Sequence, residues 1–184
     1  MALSQLGQTV KTTITSTVKG AGDVATSFRG VVVEQVNGSL KNVGEISTTT
    51  LGVVSEVVEG AVSAASDVQM QVTDAAKHAV SSAVEAVGGA GGDIIAASGK
   101  AAEGAVKAVA TVGGDVGSVA VSAVEGAIEA VGKLGKDTAQ AAGSAAKAAV
   151  MAADSVGGTA GTSVREALKN AASLPKDVIE AAIK

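Results

Sequence analysis

Aspartate recurs at 22-residue intervals as Asp93, Asp115 and Asp137, directly after Gly92, Gly114 and Lys136. A column of carboxylates suggests a calcium array, but a calcium loop needs further oxygen ligands at alternate positions, as in D-x-[DN]-x-[DN]-G. None of the three aspartates has such neighbours. The spacing instead predicts helix starts after a glycine interruption, where a carboxylate favours the exposed amides. The run Gly88-Gly89-Ala90-Gly91-Gly92 invites a phosphate-loop reading, since backbone N–H groups at a helix start can hold anions. The sequence G-x-x-x-x-G-K-[ST] that such a loop requires is absent: Gly99-Lys100 is followed by Ala101, and Gly135-Lys136 by Asp137. His78, the single histidine, stands beside Lys77 with no cysteine anywhere to share a metal, and reads as a solvated helix residue. No G-x-S-x-G sets up a nucleophile, and a motif copied evenly along a chain spreads its residues instead of building one cleft. The sequence therefore predicts no enzyme, no catalytic residue, no metal site, no cofactor and no small-molecule substrate.

The elements carrying these residues are set by a longer pattern. An apolar residue recurs every 22 positions as Val18, Leu40, Val62, Val84, Val106, Ile128, Val150 and Ala172. Around it the copies align, for example VVEGAVSAA from Val57, AAEGAVKAV from Ala101 and AVEGAIEAV from Ala123. Eight 22-residue units over about 13–184, after a short N-terminal lead-in, make residues 1–184 a single repeat array. Each unit is two related elevens, with small apolar residues at the first, fifth, eighth and ninth places and polar ones at the third, seventh and eleventh. Eleven residues over three turns, about 3.67 per turn, gather the apolar places into one arc of an α-helix. Strict alternation is not sustained, which excludes a strand reading. The β-branched stretches before residue 56, such as VVVEQV and ISTTTLGVV, disfavour helix only by tenths of a kcal/mol per residue, and they keep the register. The expected fold is all-α: long amphipathic helices, bent or folded back at Gly-rich points.

Composition narrows the function classes. One phenylalanine, no tyrosine and no tryptophan leave Ala, Val and Gly to form the apolar content, so a compact enzyme core is not expected. Fourteen basic against eighteen acidic residues, spread along the chain, give a formal net charge of -4 and no basic stripe for nucleic acid. No uncharged run exceeds about ten residues, against roughly 20 for a membrane-spanning helix. The start MALSQLGQTVKTT lacks the pattern of a secretory signal, and cytoplasmic residence is the expectation.

Gly91, Gly113, Gly135 and Gly157 occupy one place in four successive units, at the edge of the arc. They read either as bends, since glycine costs a helix nearly 1 kcal/mol relative to alanine, or as notches for close backbone approach. Stretches such as AVKAVATVGGDVGSVAVSAVEGAIEAVGK, from Ala105 to Lys133, resemble the synucleins, perilipins and exchangeable apolipoproteins in their eleven-residue Ala/Val/Gly/Thr repeat with scattered Lys and Glu. That resemblance implies a helix lying along a membrane or lipid-droplet surface. The first expectation is thus a non-catalytic, peripheral lipid-surface protein with Val18, Leu40, Val62, Val84, Val106, Ile128 and Val150 resting on hydrocarbon. The alternative is a self-assembling structural protein, a homo-oligomer in which the same residues form a helix–helix seam. Stress protection is a minor third reading.

Overall fold

Several helices begin where a side chain satisfies their free amides, and three of these starts follow a glycine in the left-handed region. The computed structural model describes residues 3–41 and 48–184, and the side chains of all of these except 48–50. The helix expected through residues 42–47, and the first two residues of the lead-in, lie outside the described residues. Among the described residues all regular structure is helical: α1 Gln5–Val18, α2 Val24–Lys41, α3 Thr48–Ser63, α4 Val72–Gly89, α5 Ile94–Val112, α6 Val116–Lys133, α7 Thr138–Val156, α8 Gly158–Asn170 and α9 Lys176–Ala182. A 3-10 turn, Ala65–Val68, follows α3. The β-branched stretches in α1 and α2 are helical, their Thr9, Thr13 and Thr15 hydroxyls donating to carbonyls one turn back.

Asp93, Asp115 and Asp137 are the N-caps of α5, α6 and α7, so these starts follow one another at the 22-residue spacing of the aspartates. Asp93 accepts from the amides of Ile95 and Ala96, both at 3.0 Å. Asp115 accepts from the Ser118 amide at 3.2 Å and its hydroxyl at 2.6 Å. Two residues before each cap stands a glycine in the left-handed region: Gly91 at φ 77°, Gly113 at 78° and Gly135 at 66°. A side chain is strained there, so glycine allows the chain to leave one helix and enter the next within four residues.

Such short connections between helices in contact make neighbours antiparallel. Every helix also packs on the next but one, α1 on α3, α3 on α5, α5 on α7 and α7 on α9, with α2, α4, α6 and α8 linked likewise. The result is two layers, odd-numbered helices in one and even-numbered helices in the other, with parallel neighbours inside each layer. Buried apolar side chains run as one cluster from Val10 on α1 to Ile183 after α9. Most are alanine and valine, so the helices must approach closely to exclude water.

Glycine provides that approach. A Cβ on Gly104 of α5 would collide with the carbonyl of Ser55 on α3, and one on Gly60 of α3 with that of Gly7 on α1. A Cβ on Gly126 of α6 would lie 2.5 Å from the carbonyl of Lys77 on α4. Between α5 and α7, Gly99 faces Ser144, whose hydroxyl donates to the Ile95 carbonyl at 2.9 Å.

Candidate interaction surfaces

The two layers present differently built outer faces. On the even layer, charged side chains on α2, α4 and α6 form a ladder. Arg29 reaches Glu85 at 3.5 Å, Lys133 bridges Glu85 at 3.0 Å and Glu129 at 2.7 Å, and Lys77 lies 3.7 Å from Glu125. Ser173, in the α8–α9 connection, donates to Glu125 at 2.6 Å. The Lys133 hydrogen bond holds the Glu129 carboxyl below its usual range, and the same bond raises the Lys133 ammonium. These groups are about a third exposed or more, so each pair contributes at most about 1 kcal/mol. Chemically the ladder is closed: its charges satisfy one another across three helices.

On the odd layer a groove of about 490 Å³ runs between α5 and α7, and a smaller hollow of about 180 Å³ adjoins it, with Lys107 and Ser155 bordering both. One wall is charged. Glu103 pairs with Lys100 at 2.9 Å and with Lys107 on its other side, and Glu59 of α3 stands by Lys107 at the end of the hollow. Burial pushes the Glu103 carboxyl up, but the two lysine hydrogen bonds outweigh it and hold the group below its usual range. Burial pushes the Glu59 carboxyl up, and Lys107 only partly opposes this. The other wall is apolar, formed by Ala148, Met151 and Ala152. Val112, Met151 and Val156 are the exposed large hydrophobic side chains among the described residues, and all three sit toward the C-terminal ends of α5 and α7.

The recurrent apolar positions lie between helices. Val18, Leu40, Val62, Val84, Val106 and Val150 are buried, and Ile128 is half-buried against the same core. Ala172 is exposed in the turn before α9, where the helical register has already ended. Gly91, Gly113, Gly135 and Gly157 all lie between helices, and a Cβ on any of them would meet nothing within 4 Å. Close approach falls instead on Gly60, Gly104 and Gly126, two residues before Val62, Val106 and Ile128. All three follow a glutamate, in VVEGAV, AAEGAV and AVEGAI. His78 is half-buried on α4.

Among the described residues no three His, Cys, Asp or Glu side chains gather as a metal site, and no helix is long and apolar enough to cross a membrane. Comparison of the chain with known protein families and with curated protein sequences finds no match.

Proposed function

We propose that this chain is a non-catalytic structural protein, a single array of 22-residue units, each a helix with its turn, that works by packing and self-association. The observation that carries this reading is the burial of Val18, Leu40, Val62, Val84, Val106 and Val150 inside the chain. A helix–helix seam uses the arc that a lipid surface would otherwise occupy. The end helices fit the same reading. Outward, α1 presents Gln5, Gln8, Thr9, Thr12 and Ser16, and α8 presents Thr162, Ser163, Glu166 and Lys169. Helix α4, by contrast, is buried on most of its circumference. Polar terminal units limit a stack to a finite length, so contact between copies falls to a lateral face and not to endless end-on growth.

A second reading has its own support. The seam consists mainly of Ala and Val, which interlock weakly, and left-handed glycines stand at Gly91, Gly113 and Gly135 where hairpins would open. A chain opened at these points would lay the same arc on a membrane or lipid droplet as a peripheral protein.

Circular dichroism with light scattering, with and without neutral and anionic vesicles, separates the two. A structural protein is helical and oligomeric without lipid and unchanged by vesicles. A monomer whose helix content rises only on vesicles contradicts the structural reading and establishes the lipid one.

A further inference from the structure

We propose that Gly157 is a hinge through which two copies of this chain exchange their helices α8 and α9. The proposal rests on the self-association reading and names the surface it uses, the face of α6 and α7 that α8 covers.

Three observations meet at this junction. The first is how little holds the turn. The three turns before it, α4–α5, α5–α6 and α6–α7, each pair a left-handed glycine, Gly91, Gly113 or Gly135, with a capping aspartate, Asp93, Asp115 or Asp137. Between α7 and α8 stands Gly157 alone. It is extended, at φ 163° and ψ 149°, and no side chain caps α8. The aspartate column ends here, since the place 22 residues after Asp137 holds Thr159.

The second is that the apolar register runs straight through the turn. Ala142, Ala153 and Val164 stand eleven residues apart and are all buried, and the buried Ala146 and Leu168 stand eleven residues either side of Gly157. Eleven residues make three helical turns. Helical torsions at Gly157 therefore join α7 and α8 into one helix whose two halves keep their apolar sides in line.

The third is that a second copy can reform what the joined helix gives up. In the closed chain Arg165 donates to both Asp154 oxygens, at 2.8 and 2.7 Å, and a Cβ on Gly161 would collide with that carboxylate. In the joined helix Asp154 and Arg165 are three turns apart, roughly 16 Å, and cannot meet. Reciprocal exchange lays α8 of each copy antiparallel on α7 of the other, so Asp154 of each copy meets Arg165 of the other. Val156, 42% exposed beside the hinge, then lies next to the two-fold axis. Such an exchange closes after two copies and leaves the polar outer faces of the end helices free.

The test reverses charge at this exposed pair, with circular dichroism to verify that each variant folds. Wild type, Asp154→Arg, Arg165→Asp and an equimolar mixture of the two variants are refolded from denaturant at high concentration without lipid and measured by light scattering. The wild type is expected to reach twice the chain mass of 17.5 kDa. Each variant alone sets like charges against each other in closed and exchanged forms alike, so its dimer is expected to be about as tight as the wild type's. Only an exchanged pair of one copy of each variant brings opposite charges together, and it does so twice. The mixture is therefore expected to dimerise about tenfold tighter, or more, than either variant. Gly157→Ala, which favours helical torsions at both hinges, is expected to tighten the wild-type dimer by roughly tenfold. A wild-type dimer with a mixture no tighter than its components overturns the exchange while sparing self-association through another surface. Wild type, Gly157→Ala and the mixture all remaining monomeric would overturn both readings.

Discussion

At the residue scale the helix starts depend on single carboxylates. Asp115 is held below its ordinary value of 3.8, first by the Ser118 hydroxyl and then by the Ser118 amide, with slight burial opposing. Its folded pKa lies below its unfolded one, so its stabilisation is present above pH 3.8 and is lost as pH falls through the folded pKa. Asp115→Ala is expected to cost about 1 kcal/mol at neutral pH, and the gap between variant and wild type should close below pH 3.8. Thermal melts from pH 7 to pH 2.5 check this, and a gap that persists at low pH would show that the carboxylate charge is not what caps α6. The capping role was readable in the sequence because an aspartate just ahead of an apolar run can accept from the free amides of the helix that follows. The pairing of Glu85 with Lys133 was not, because it depends on which helices become neighbours.

At the element scale, glycine has three distinct uses here, and they predict opposite effects of one substitution. Gly104→Ala drives a Cβ into the Ser55 carbonyl across the α3–α5 contact, and overpacking of this kind costs about 1–3 kcal/mol. At Gly113 there is open space but φ is 78°, so Gly113→Ala is expected to cost about 1 kcal/mol from backbone strain alone. Gly30, on the exposed side of α2, has open space and helical geometry, and Gly30→Ala should stabilise by about 0.5–1 kcal/mol. Denaturant unfolding of the three variants measures all three effects, and a tolerated Gly104→Ala would refute the tight α3–α5 contact. Helix content was legible because the eleven-residue period puts apolar residues on one side of a helix. Which glycines pack and which turn was not, since both recur at the same interval: Gly91, Gly113 and Gly135 in the turns, Gly60, Gly104 and Gly126 in the contacts. Only the partner helix distinguishes them.

At the scale of the whole molecule, one arc has two possible destinations. The sequence shows that Val84 and Val106 share a face with their small neighbours but carries no sign of what covers that face. Water is excluded equally well by hydrocarbon or by another helix, so periodicity alone leaves both open. In the structure α4 packs on α6, and α3 and α7 pack on α5, so other helices of the same chain lie against the arc. Small-angle X-ray scattering of dilute protein without lipid tests this most directly. A folded single chain of 184 residues should have a radius of gyration of roughly 16–20 Å. An unbroken helix of the same length would be a rod roughly 280 Å long with a radius of gyration near 80 Å. A compact particle is the result this account predicts; a rod, or an expanded coil of about 45 Å, would contradict it.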